Sequence, residues 1–233
     1  MSNASSESSN SNKLIIAIDG PSGSGKSSVS RAVAKQLGLS YLDTGAMYRA
    51  MTWWVLEKGI DPIDGEMVFD VAKVAKIIPG TDPSNPTIHV GDVDVSGPIR
   101  GDLVTGAVSA VSAVPEVRGL LVELQREISK DASKGIVVEG RDIGSVVLPD
   151  ASLKLYITAD PEARAARRAA ENGQDVSATQ EKLVKRDQAD STRKVSPLEM
   201  AADATLLDTT HMNLDEVVDH VLGLVKGLSD AFK

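Results

Sequence analysis

The sequence predicts an α/β fold built around a parallel sheet. Five short apolar runs alternate with helix-like segments over most of the 233 residues. The first run, at 14–18, is continuously apolar rather than alternating, which is typical of a parallel strand buried on both faces. A glycine-rich turn directly after the first run would carry that strand into a helix. We therefore expect a five-stranded parallel core with right-handed crossover connections.

The elements of this core follow one another in a regular order. The first strand is predicted at 14–18, and Val29, Val33 and Leu37 repeat every four residues in the helix that follows, which Gly38 ends. The other core strands are predicted at 39–42, 136–138, 153–157 and 204–207, and the helices at 46–58, 104–111, 115–128, from 161, 179–190 and 215–232.

The stretch between residues 60 and 100 has a different character. A short helix is predicted at about 66–77, followed by a segment rich in proline and glycine. Residues 87–90 and 93–95 flank a Gly-Asp pair and predict a β-hairpin. Antiparallel strands within a parallel pattern indicate a small inserted subdomain.

The glycine-rich turn fits the phosphate-binding loop pattern G-x-x-x-x-G-K-[ST] from Gly20 to Ser27. Its backbone N–H groups would surround an anion, Lys26 would reach the β- and γ-phosphates, and the Ser27 hydroxyl would bind Mg²⁺. The order of strand, loop and helix aims a helix N-terminus at the phosphates. The predicted triphosphate-binding residues are Gly20, Pro21, Ser22, Gly23, Ser24, Gly25, Lys26, Ser27 and Ser28.

Composition limits the other functions. Net charge is −8 and there is no basic run with interleaved aromatic residues, so no nucleic-acid partner is expected. No apolar stretch approaches the ~18 residues of a membrane span, and there is no signal-peptide core, so a cytoplasmic location is expected. Cysteine is absent, which excludes disulfides and thiolate chemistry. Residues 1–12, rich in serine and asparagine, are predicted to be a disordered tail.

Polar residues follow two further predicted strands, at 43–45 and 139–142. Because the carboxyl ends of parallel strands share one edge of the sheet, these residues should meet the phosphate loop. Each has a simpler interpretation: Asp43 could only cap the next helix, and Arg141 with Asp142 could form a local ion pair.

Arginine is concentrated in the last third of the chain. Arg164, Arg167 and Arg168 have the spacing of one helix face, and the Asn-Gly break at 172–173 suits a mobile lid. Arginine suits bidentate phosphate contacts, although a solvated helix face is the alternative. A second group with similar spacing comprises Arg186, Asp190 and Arg193.

No catalytic base is convincing, and the three histidines, His89, His211 and His220, are isolated. A phosphate acceptor needs no base, because a phosphomonoester is mostly dianionic at neutral pH. Catalysis then requires alignment and charge neutralisation, which Lys26, the arginines and Mg²⁺ can supply.

Taken together, these motifs resemble those of the bacterial cytidylate (CMP) kinases, within the nucleoside monophosphate kinase family of P-loop kinases. The resemblance covers nearly all of residues 13–225. It rests on the segments 18–23, 25–27, 42–49, 94–100, 115–118, 140–144 and 201–204. Two departures are small: Thr44 stands where serine is common, and Ser27 where some members have glycine.

The resemblance implies a P-loop NTPase fold with a core at 13–43, 101–160 and 180–233. It also implies a monophosphate-binding subdomain with its insert at 44–100 and a short helical lid at 161–179. The implied reaction is reversible phosphorylation of CMP and dCMP by ATP with Mg²⁺, and the implied state is a monomer.

The resemblance also implies roles for single residues. Thr44, Tyr48, Arg49 and Arg141 would hold the acceptor phosphate; Ser109, Arg118 and Asp142 would read cytosine; Arg186 and Asp190 would bind ribose; Arg193 with the lid residues Arg164 and Arg168 would neutralise the transferring phosphoryl group. The chemistry supports the base-reading set, because a carboxylate accepts from the cytosine amino group and arginine donates to O2 and N3.

Two other functions remain open at this stage. One is a P-loop kinase that acts on a hydroxyl, in the style of shikimate kinase, with Asp142 as the base. The inserted segment and the surplus of arginine argue against it. The other is a nucleotide-gated switch or binding module, although the chain lacks the guanine-reading Asn-Lys-x-Asp of a GTPase.

Overall fold

The computed structural model describes residues 13–173 and 175–231. The predicted disordered tail at 1–12 lies outside the described residues. The strands are β1 (Leu14–Asp19), β2 (Ser40–Asp43), β3 (Ile77–Pro79), β4 (Ile88–Val90), β5 (Val93–Asp94), β6 (Gly135–Glu139), β7 (Leu153–Thr158) and β8 (Thr205–Asp208). The helices are α1 (Lys26–Leu37), α2 (Thr44–Glu57), α3 (Gly65–Ala72), α4 (Asp102–Ala113), α5 (Pro115–Asp131), α6 (Pro161–Asn172), α7 (Val176–Thr192) and α8 (Leu214–Ala231).

The main sheet has five parallel strands in the order β2-β6-β1-β7-β8, so the predicted parallel core is confirmed. β1 lies at its centre and pairs with β6 and β7, with Ile16 opposite both Val137 and Leu153. Ile16, Ala17 and Ile18 are fully buried, as the continuous apolar run predicted. Two apolar clusters hold the layers together, one containing Ala17, α2 and α5 residues, the other Ile16, α1 and α8 residues.

The small antiparallel sheet is also confirmed, with the order β3-β4-β5. The hairpin β4–β5 was predicted, but the helix predicted at 66–77 was wrong at its end. α3 stops at Ala72, and Ile77 begins a strand that pairs with Val90 of β4. Two β-branched residues before Pro79 favour an edge strand, where proline is tolerated.

Two short helical turns connect these elements. A 3₁₀ turn covers Pro98–Arg100 before α4, and a π-helical turn covers Ile143–Val147 after β6.

α7 begins three residues earlier than predicted, because Asp175 caps it by accepting from the Ala178 N–H at 2.9 Å. Among the described residues, no helix is both long and apolar enough to cross a membrane.

Candidate functional site

A cavity of about 650 Å³ lies at the carboxyl ends of β1, β2 and β6. Loops that follow neighbouring parallel strands meet at this edge, which explains why distant residues gather here. The predicted site residues in its wall are 22–28, Thr44, Tyr48, Arg49, Ser109, Arg118, Arg141, Asp142, Arg168, Arg186, Asp190 and Arg193. Three predicted residues, Gly20, Pro21 and Arg164, lie behind this wall instead.

The phosphate-binding loop needs glycine at its start and at the first turn of α1. Gly20 has φ +143°, and a Cβ there would lie 2.0 Å from the carbonyl oxygen of Ile157. Gly25 caps α1 with φ +85° and no side-chain cap, so the first N–H groups of that helix remain available to an anion.

Lys26 lies at the centre of the loop and is buried. Its Nζ donates to the carbonyl oxygen of Pro21 at 2.7 Å. Burial, followed by the positive charge of Arg141, lowers the Lys26 pKa from its ordinary value. A phosphate group would relieve both effects, since it would bring negative charge to a desolvated ammonium.

Arginines crowd the middle of the cavity. Burial and then the charges of Arg141 and Arg49 lower the Arg186 pKa to about 10. The Arg49 pKa is also lowered, by burial and then by Arg168. Within residues 13–173 and 175–231, Arg186 Nε has no hydrogen-bond partner. Cations that disfavour one another's charge in one cavity indicate a site for a polyanion.

Glu139, at the end of β6, forms hydrogen bonds to the phosphate-binding loop, to β2 and to the start of α2. Its carboxylate accepts from Ser27 Oγ at 3.0 Å and from the Tyr41 hydroxyl, and its backbone carbonyl accepts from Thr44 Oγ1 at 2.7 Å. Burial, then the nearby charge of Asp43, raises the Glu139 pKa above its usual range. Sequence analysis noted the position but assigned it no role.

Ser27 and Glu139 also fit a Mg²⁺ ion. Mg²⁺ prefers oxygen ligands and commonly takes one or two protein oxygens together with substrate phosphates. The hydroxyl and the carboxylate lie side by side at the cavity wall, and the buried carboxylate would gain a compensating charge. These two residues would therefore hold the metal.

The other end of the cavity is built from side chains of distant elements. Arg118 of α5 donates from Nη2 to Asp142, and both residues are buried. Arg193 Nη2 lies 3.8 Å from the second Asp142 oxygen. The Arg118 guanidinium lies 5.2 Å from the centre of the Tyr48 ring, and Ser109 completes the wall. This end therefore offers a carboxylate with guanidinium donors beside it.

Arg141 connects the two ends. It donates from Nε to Asp190 at 2.9 Å and from Nη2 to Ser22 Oγ at 2.7 Å. The local ion pair considered from the sequence is wrong, because Arg141 pairs with Asp190 and Asp142 pairs with Arg118.

The residues after β2 combine capping with a place at the cavity. Asp43 caps α2 by accepting from the Ala46 N–H at 2.9 Å, and it also borders the cavity. Arg49 donates to the Ile99 carbonyl at 3.1 Å and to Thr105 Oγ1 at 2.9 Å, which ties α2 to α4.

The structure separates the three arginines of α6. Arg164 is buried and donates to the Ser22 carbonyl at 2.8 Å and to Asp187 at 2.5 Å. Asp187 also accepts from the Ser22 N–H at 3.0 Å, so both α6 and α7 are hydrogen-bonded to the backbone of the phosphate loop. Sequence analysis missed Asp187, which carries no motif of its own.

Arg167 and Arg168 both border the cavity. Arg167 is held to the loop after β8 by donating to the Thr209 carbonyl at 2.5 Å. The common helix spacing therefore does not give the three arginines a common environment.

A glycine loop after a central parallel strand, with cations and oxygen donors around it, defines this chain as a P-loop protein with a nucleotide site. The fold is similar to that of a gluconokinase from Sinorhizobium meliloti, with TM-score 0.50, 14% identity and coverage of 94% of this chain and 95% of that one. It is also similar to an uncharacterised protein from Eubacterium ventriosum, with TM-score 0.51, 14% identity and coverage of 92% and 99%.

Sequence comparison gives the family. The cytidylate kinase family profile matches residues 16–227. A cytidylate kinase from Streptomyces griseus is 60% identical over 92% of this chain and 93% of its own length. One from Nocardia farcinica is 54% identical over 91% and 93%. The chain belongs to the cytidylate kinase family.

Proposed function

We propose that this protein transfers the γ-phosphoryl group of ATP to CMP, giving ADP and CDP, that dCMP is also accepted, and that the reaction is reversible. The observation that carries the proposal is the buried Arg118–Asp142 pair at the far end of a cavity whose near end is a phosphate-binding loop. Relatives named cytidylate kinase, more than half identical to this chain, support the same activity.

The proposed acceptor base lies against Asp142, Arg118 and Ser109. The Asp142 carboxylate accepts from the cytosine 4-amino group, and Arg118 donates to O2 and N3. Their mutual ion pair holds both groups in place before the base arrives. Little side-chain entropy is then lost on binding.

The sugar and phosphate of the acceptor would lie between this pair and the loop. Thr44, Tyr48, Arg49 and Arg141 are proposed to hold the acceptor phosphate. Arg186 and Asp190, one turn apart on α7, are proposed to bind the ribose, with Asp190 oriented by its bond from Arg141.

Transfer itself requires alignment and neutralisation. Lys26 and Arg141 are placed to stabilise charge on the transferring group, and Arg193 and Arg168 border the same cavity. Arg164 is proposed to contribute to catalysis indirectly, through its hydrogen bond to the Ser22 carbonyl oxygen. A Mg²⁺ ion held by Ser27 and Glu139 would neutralise charge on the donor phosphates. The dianionic acceptor attacks without a protein base.

The division into a core (13–43, 101–160 and 180–233), a monophosphate-binding subdomain (44–100) and a lid (161–179) is proposed on the same basis. Closure of the outer parts over the nucleotides would exclude water during transfer. A monomer and a cytoplasmic location remain predictions from the sequence.

An ADP-release assay across CMP, dCMP, UMP, AMP, GMP and shikimate tests the proposal. We expect CMP and dCMP to give the highest kcat/KM and chelation of divalent metal to abolish activity. The acceptor should yield a nucleoside diphosphate, identified by chromatography. Turnover of shikimate, or equal turnover of CMP and AMP, would contradict the proposed acceptor.

A further inference from the structure

Asp19 is a buried carboxylate that the reaction described above does not use. It is the last residue of β1, it directly precedes Gly20, and it is 4% exposed. Its two oxygens accept from consecutive backbone N–H groups, Oδ1 from Ile143 and Oδ2 from Gly144, each at 2.8 Å. A carboxylate without a cation in contact is costly to bury, so this double contact needs a reason.

The two hydrogen bonds to Asp19 hold the C-terminal end of the short segment 140–143, and the N-terminal end of that segment is also bonded to β1. The Gly140 N–H donates to the carbonyl oxygen of Ile18 at 3.0 Å. Between the two attachments lie Arg141 and Asp142, the residues that contact Asp190 and Arg118. Consecutive residues of one central strand thus fix both ends of a loop that carries two candidate substrate contacts.

The backbone of Asp142 is also held by hydrogen bonds from residues that follow it in the chain. Its carbonyl oxygen accepts from Val146 and Val147, at 2.9 and 3.1 Å, in the π-helical turn. The first peptides of that turn are those that Asp19 holds. The direction in which the Asp142 side chain leaves the backbone therefore depends on where Asp19 places this turn.

We propose that Asp19 is a positioning residue for pyrimidine discrimination. It holds the Ile143 and Gly144 peptides, so that Asp142 and Arg118 are correctly oriented towards the nucleobase. The inference rests on the proposed function. It adds that the last residue of β1, which leads into the phosphate loop, also sets the geometry at the far end of the cavity. Asp19 does so through its side chain and without contacting the substrate.

Asp19→Asn and Asp19→Ser test the proposal, measured side by side with CMP and UMP. An asparagine offers one acceptor and turns its NH₂ group towards an N–H donor, and a serine leaves both peptides without a carboxylate. We expect kcat/KM for CMP to fall about 10-fold and for UMP about 2-fold, mostly through KM, so that the CMP preference narrows roughly 5-fold. KM for ATP should stay within about 2-fold.

Two controls separate positioning from general loss of structure. Val221→Ala removes buried apolar volume on α8, in a different apolar cluster from Ile143, and should lower Tm while leaving the CMP/UMP preference unchanged. Combined with Asp142→Asn, the Asp19 variants should narrow the preference no further, because the residue through which they act is already changed.

Equal losses for CMP and UMP, an unchanged preference, or an additive loss in the Asp142→Asn background would each overturn the role of Asp19. Failure of the wild-type protein to phosphorylate CMP would instead overturn the proposed function, so the two failures are distinguishable.

Discussion

The two ends of the cavity are built in different ways. The phosphate end is one continuous segment, residues 20–28, in which the uncapped N-terminus of α1 leaves backbone N–H groups available to an anion. The other end is assembled from side chains on separate elements, such as Tyr48 on α2, Arg118 on α5 and Asp142 after β6. A contiguous backbone site fails when its central charge is lost, whereas an assembled site loses selectivity when one partner moves.

Lys26→Ala should give the largest effect and act on rate. As proposed, Lys26 would stabilise charge that develops on the transferring group, so kcat should fall at least ~100-fold with a much smaller change in CMP affinity. Steady-state kinetics with ATP and CMP check this. Lys35→Ala, an exposed lysine on the same helix, is the matched control and should retain full activity. An unchanged kcat for Lys26→Ala would contradict the assignment of the loop.

Asp142→Asn should act on selectivity instead. UMP carries a carbonyl at position 4, which a carboxylate repels and an amide N–H₂ group can contact. The CMP/UMP preference in kcat/KM should therefore narrow roughly 10–100-fold, as expected for a buried charged hydrogen bond. Arg118→Ala should harm both pyrimidines, because O2 is common to them, with the larger loss for CMP, because N3 accepts a hydrogen bond in cytosine but not in uracil. If Asp142→Asn slowed CMP and UMP by equal factors, Asp142 would not read the base.

The same contrast decides what could be predicted from the sequence. The phosphate end lies within nine consecutive residues, so its pattern and its flanking strand and helix were recognisable directly. At the other end, no spacing relates Arg118 to Asp142, and only the resemblance to a family brought them together. Asp187 and Asp19 escaped both approaches, because each acts on a backbone group supplied by another part of the chain.

The fold was predictable where hydrophobic periodicity dominated. All five core strands lie close to their predicted positions, and β1 and β6 carry the continuous apolar runs that are typical of strands buried on both faces. Ile77–Pro79 was misassigned to a helix, because three residues are too few for a period to distinguish strand from helix. The first two N–H groups of the π-helical turn at Ile143–Val147 donate to the Asp19 carboxylate, a tertiary contact that local sequence does not encode.

The arginines of α6 sharpen the comparison, because one supports the phosphate loop and another borders the cavity. Arg164→Ala leaves the partly buried Asp187 without its ion-pair partner and should lower Tm by several degrees as well as slow turnover. Arg168→Ala should lower kcat about 10-fold with little change in Tm. Thermal unfolding without nucleotide, together with initial rates, distinguishes the two. A Tm loss for Arg168→Ala equal to that for Arg164→Ala would remove the distinction.

The smallest expected effect concerns Asp19, which precedes the phosphate loop and accepts from the two N–H groups that follow Asp142. Burial raises the Asp19 pKa from 3.8 to about 6, partly opposed by the Gly144 and Ile143 N–H groups. Between these two pH values the folded protein binds a proton that the unfolded chain has released. The contribution of Asp19 to stability is therefore fully present below the lower pKa and is lost as pH rises through the higher one.

The free energy of unfolding of the wild type minus that of Asp19→Asn should accordingly increase as pH falls from about 7 to about 4. We expect a change on the order of 1–2 kcal/mol, below the full linkage value because relaxation and water screen a buried carboxyl. Urea unfolding of both proteins, without nucleotide, measures the difference, and the other titrating groups cancel between them. A difference that is constant with pH would mean that the carboxyl is solvated in the folded protein and holds the Ile143 and Gly144 peptides less firmly than the hydrogen bonds indicate. A difference that favours Asp19→Asn on acidification would mean that the two N–H bonds lower the Asp19 pKa more than burial raises it.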